Sequence, residues 1–91
     1  MRYMICYDIA NTKTRTKVAK YLEGFAFRIQ YSVFMCESNE KQMKDVVRRL
    51  RILTRRDNRK AILIVPLCHH CLGQMQLIGT MIENSVYCIL A

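Results

Sequence analysis

The chain has 91 residues, 52% of them hydrophobic, which describes one small domain with a packed core and excludes a disordered chain. Fifteen Lys and Arg stand against 7 Asp and Glu, a net charge of +8 that points to nucleic acid as partner ahead of an anionic membrane. No apolar run approaches a membrane span, MRYMICYDIAN is not a signal peptide, and an odd count of five cysteines argues against a disulfide framework, so a cytoplasmic chain with no membrane partner is expected.

Residues 2–9 read as a first strand, rich in Tyr and Ile and ending on Asp8. A carboxylate so close to a core costs free energy unless something pairs with it. The chain has too few other acids to build a metal cage around Asp8, and a second copy of the chain would supply the missing carboxylate. Asn11 and Thr12 are cap residues for a helix in which Val18, Leu22 and Phe25 share one face, with Gly24 as its stop. In FRIQYSVFMCE, residues 27–37, the apolar parity shifts after Val33, which predicts a bulge or a break into two short strands near Tyr31.

Asn39 and Gln42 form a capping-box pattern ahead of a second helix carrying Met43, Val46, Val47, Leu50 and Leu53 at helical spacing. RRLRILTRRDNRK, residues 48–60, ends that helix and continues into an exposed turn; seven of its 13 positions are Lys or Arg. AILIVPL, residues 61–67, is a continuous apolar run and predicts a fully buried strand ended by Pro66. Residues 74–79 and 84–90 are further strand candidates. The order is the split β-α-β arrangement of an α+β, ferredoxin-like βαββαβ sandwich, with two helices on one face of an antiparallel sheet. Its other face needs a partner, and a second sheet is the obvious one. The expected division is a ferredoxin-like domain over residues 1–80 and a tail over residues 81–91.

Three segments carry a resemblance: YDIAN at the end of the first strand, RIQYSVFMCE after the first helix, and ILIVPLC at the third core strand. In this order and at these separations the chain resembles the CRISPR-associated protein 2 family, the small subunit of the CRISPR spacer-acquisition machinery. The resemblance implies a homodimer with its sheets packed together, and a C-terminal strand, here residues 84–90, added to the partner's sheet. It further implies a metal-dependent nuclease acting on RNA or double-stranded DNA, and a central dimer bridging two copies of the CRISPR integrase subunit. The second role makes a non-catalytic, DNA-binding scaffold the alternative function. A toxin-like RNase acting on messenger RNA is a third class.

The resemblance assigns roles residue by residue. Asp8 is the expected ligand of one Mg²⁺ (or Mn²⁺) shared with Asp8 of a second copy, the cation relieving the repulsion of two carboxylates; capping the following helix is the competing role. Tyr7 matches a position linked to activity and is equally a core or interface tyrosine. Arg15 and Lys17 match basic positions that hold phosphate or stand solvated. Arg28 is expected to neutralise a phosphate near the metal or to pair with Asp8. Ser32 is a hydrogen-bond donor to phosphate or metal-bound water, or structural, and Phe34 is a core residue by default. From charge alone, Arg55 and Arg56 represent the basic cluster, which is either a patch that tracks phosphates without reading bases or a solvated face. In CHHC, residues 68–71, Cys68 and Cys71 have the spacing of half a zinc site, but no second pair completes it and the adjacent His69 and His70 diverge.

Overall fold

Alternation builds the first strand. In β1 (Arg2–Ile9), Tyr3, Ile5, Tyr7 and Ile9 are buried while Asp8 is exposed. Successive side chains of a strand point to opposite faces, so this pattern commits one face of β1 to the core. The structure is a computed structural model that describes residues 1–79; the candidate strand at 84–90 lies outside the described residues.

The chain continues as α1 (Thr12–Glu23), β2 (Phe27–Gln30), β3 (Val33–Glu37), α2 (Glu40–Thr54), β4 (Lys60–Leu67) and α3 (His69–Gly73). The four strands form one sheet in the order β2-β3-β1-β4, with every pair antiparallel. This is the ferredoxin-like topology: each long helix connects two strands that have a third between them. Among the described residues no helix is long and apolar enough to cross a membrane.

Both long helices start as their caps direct. The Asn11 side chain accepts from the Thr14 N–H. Asn39 and Gln42 satisfy each other's backbone N–H groups in a complete capping box. Val18 and Leu22 of α1, and Met43, Val46 and Leu50 of α2, bury against Ile5, Ile9 and Phe34. Fully burying such a side chain is worth roughly 1.5–3 kcal/mol, so this helix-facing layer is the main source of stability. Phe25 does not join it: α1 ends at Glu23, and Phe25 is 42% exposed, edge-on to Tyr21.

The parity shift resolves as expected into two strands, joined by a turn at Tyr31 and Ser32, with a register shift between Arg28 and Gln30. Two other expectations need correction. β4 is not fully buried. It lies at the edge of the sheet, paired only to β1, and Leu63 is 60% exposed. Ile62 and Ile64 pack on the helix-side core, whereas Leu63, Val65 and Leu67 stand opposite Cys6, Met4 and Arg2 on the other face. Residues 74–79 are not a strand. α3 occupies the stretch before them and lays Leu72 against Ile29 and Met35 on the open face, with Met75 beside it. The uncovered face is thus partly covered by the chain's own C-terminal side.

Candidate functional site

The sheet separates the candidate residues into two groups. Asp8 sits on the open face, opposite Ala61 of β4, in a shallow hollow lined also by Ala10, Arg59 and Lys60. It is exposed, so the burial penalty expected from its apolar neighbours does not arise. It does not cap α1 either; Asn11 does that. Among the described residues the ion pairs engage Glu23, Glu37 and Asp45 but leave Asp8 without a cation partner. Arg59, near the end of the basic run, brings positive charge to its rim. Arg59 comes there through the antiparallel pairing of Asp8 with Ala61, a contact that the residue pattern leaves open. Lys60 stands opposite the buried Ile9, and its Nζ donates to the Thr54 carbonyl at the end of α2, so its ammonium lies on the helix side of the sheet.

Tyr7, Arg15, Arg28 and Ser32 come together on the helix side, in a groove between α1 and the β2–β3 turn that Lys20 and Tyr31 also line. Tyr7 is 6% exposed, donates its hydroxyl to the Tyr31 carbonyl at 3.2 Å and its backbone N–H to the Ser32 carbonyl at 3.0 Å. It holds the turn in place and faces away from Asp8. Arg15 donates to the Ile9 carbonyl at 3.0 Å and to the Thr12 hydroxyl at 3.2 Å, fastening the start of α1 to the end of β1.

Arg28 pairs in register with Phe34, whose other neighbour is the buried Ile5, so it lies on the helix side. Its guanidinium stands 5.0 Å from the Phe34 ring centre and 3.4 Å from Glu23. The expected pairing of Arg28 with Asp8 is therefore corrected: the sheet lies between them. Lys17 is exposed on α1 and does not line the groove. Arg55 and Arg56 are exposed in the turn that follows α2.

A hard divalent cation takes oxygen ligands and retains several waters, so one or two carboxylates suffice. The Asp8 carboxylate fits that chemistry in kind and stands at the lower limit of that number. Among the described residues no three His, Cys, Asp or Glu side chains gather where they could hold a metal. One chain thus brings a single carboxylate to this part of the open face. CHHC forms no such cluster. Cys68 is instead the N-cap of α3, its sulfur accepting from the Cys71 N–H, and His69 and His70 are exposed.

The family described as CRISPR associated protein Cas2 matches residues 1–75. A CRISPR-associated endoribonuclease Cas2 of Rhodospirillum rubrum is 37% identical over 86 residues, covering 94% of this chain and 68% of that protein. A CRISPR-associated endoribonuclease Cas2 of Synechocystis sp. is 35% identical over 77 residues, 85% of this chain and 83% of that protein. Among solved structures, a hypothetical protein of Thermus thermophilus superposes with a TM-score of 0.75 at 32% identity, covering 88% of this chain and 92% of that one. Cas2 of Streptococcus pyogenes shares the fold, with a TM-score of 0.72 at 24% identity over 87% of this chain and all of that one (100%). With a family match over most of its length and relatives that align across nearly all of it, the chain belongs to the CRISPR-associated Cas2 family.

Proposed function

We propose that the chain acts in CRISPR adaptation as a homodimeric endonuclease, hydrolysing phosphodiester bonds in RNA or double-stranded DNA with Asp8 of each copy at a shared Mg²⁺ or Mn²⁺. The observation that carries this reading is the position of Asp8: an exposed carboxylate with no ion-pair partner among the described residues, on the open face, rimmed by Arg59. The printed names of the relatives, endoribonuclease for several and endonuclease for one from Thermus thermophilus, support the reaction class. The apolar residues of the same face, Leu63 foremost, support a second copy packing there.

Each part of the chain has a defined task in this scheme. Asp8 holds the cation, which when bound supplies charge neutralisation at the phosphoryl oxygens and lowers the pKa of a water. Arg59 draws the phosphate to the hollow and offsets the charge that builds on it. Tyr7 and Arg15 act at a distance, keeping the β2–β3 turn and the start of α1 in place around the end of β1.

The test is a metal-supplemented cleavage assay on RNA and duplex DNA with wild type and Asp8→Asn side by side. The variant should remain folded and dimeric while cleavage falls to background, and chelator should silence the wild type. Full cleavage by Asp8→Asn would reject the reading.

The run of seven basic residues over 48–60 favours a second reading, a scaffold that carries a DNA duplex and bridges integrase subunits. In that case spacer acquisition in cells survives Asp8→Asn. The two roles are compatible in one dimer.

A further inference from the structure

The CHHC segment lies outside the proposed nuclease chemistry, and its geometry is that of a reactive dithiol. Cys68 caps α3 and Cys71 stands one turn on, so both sulfurs lie on the same side of the helix, 3.3 Å apart. Both are exposed, whereas Cys6 is only partly accessible and Cys36 is buried.

We propose that Cys68 and Cys71 form a dithiol–disulfide couple that exchanges with low-molecular-weight disulfides of the glutathione type, a modification site that clasps the first turn of α3.

The roles of the two sulfurs follow from their surroundings. The Cys71 N–H donates to the Cys68 sulfur, and the Cys71 thiol donates to it once Cys68 is ionised; both lower the Cys68 thiol below its ordinary value. Sharing its proton in that contact raises the Cys71 thiol. Burial raises the thiols of Cys6 and Cys36. The thiolate is the attacking species in exchange, so Cys68 is the nucleophile and Cys71 the resolving group.

In the first step the Cys68 thiolate forms a bond to one sulfur of the small disulfide, whose S–S bond breaks and releases one thiolate. In the second, Cys71 loses its proton to solvent and attacks the Cys68 sulfur of the mixed disulfide, expelling the second small thiolate. Two electrons pass from the protein dithiol to the small disulfide, which leaves as two thiols. The consequence for the fold is local: the new bond ties together the ends of the turn that carries Leu72 onto Ile29 and Met35.

The experiment incubates the full-length protein with excess oxidised glutathione, traps remaining thiols by alkylation, and maps a digest that separates residues 68–71 from Cys88 by mass spectrometry. The wild type should lose two hydrogens within residues 68–71 and retain no glutathione there. Cys71→Ser should stop at the mixed disulfide on Cys68. Cys68→Ser should take at most one glutathione, at Cys71, and hold it, because no second thiol is within reach to expel it. Wild-type protein that ends with glutathione held on Cys68, or with both thiols still alkylated, overturns the proposal. So does protection of both thiols that a chelator relieves, which would make them metal ligands. The wild-type result decides the matter even if a serine variant folds poorly.

Discussion

Arg28 has its guanidinium over the Phe34 ring and against Glu23, while its buried Nε meets no acceptor among the described residues. The ring contact is worth about 0.5–1 kcal/mol and the half-exposed ion pair about 0–1 kcal/mol. Removing the orphaned Nε returns a comparable amount. Arg28→Met should therefore shift the unfolding free energy by less than about 1 kcal/mol, read by urea denaturation. Phe34→Ala should cost about 3–5 kcal/mol, because the ring is fully buried and nothing nearby can refill its space. The contrast gives Arg28 a separate test of function. A stable Arg28→Met protein that binds RNA or duplex DNA as well as wild type would remove the α1 groove from the nucleic-acid surface.

Elements were legible wherever the signal was local. Asn39 and Gln42 lie three residues apart, and their capping box forms as read; Asn39→Ala should lower stability by about 1 kcal/mol, visible as a lower midpoint in thermal denaturation. The break between β2 and β3 was equally readable, since apolar parity changes only where a strand changes face. β4 was misread because a continuous apolar run says that both faces avoid water without saying what covers them, and in the single chain only β1 and the helix side do so. α3 was missed because five residues are too few to show a helical period. For the site, alternation along β1 correctly set Tyr7 and Asp8 on opposite faces. The face of Arg28 was not legible: it depends on the register of β2 against β3 on one side of an irregularity, a tertiary fact that the residue pattern leaves open.

At the scale of the whole molecule, charge and apolar surface are divided between different regions, and each can be tested without the other. On the open face Leu63 is 60% exposed beside Cys6 and Val65, so in the proposed dimer Leu63→Asp should weaken self-association in sedimentation and lower the melting temperature only by what association contributes. The basic surface lies beyond the end of α2, where Arg55 and Arg56 are exposed and Arg59 continues it to the rim of the Asp8 hollow. A helix C-terminus favours some positive charge, but its partial charge of about −0.5 balances only a fraction of this run. The remainder attracts polyanions. If Arg55 and Arg56 each neutralise one phosphate, the double variant Arg55→Glu, Arg56→Glu should flatten the log–log dependence of duplex affinity on salt by roughly 0.9 per contact. Sequence should not matter to that loss, because phosphate contacts carry no base information. Affinity measured from low to physiological salt on two unrelated duplexes checks both points. An unchanged slope would remove Arg55 and Arg56 from the phosphate path and leave that end of α2 as a solvated face.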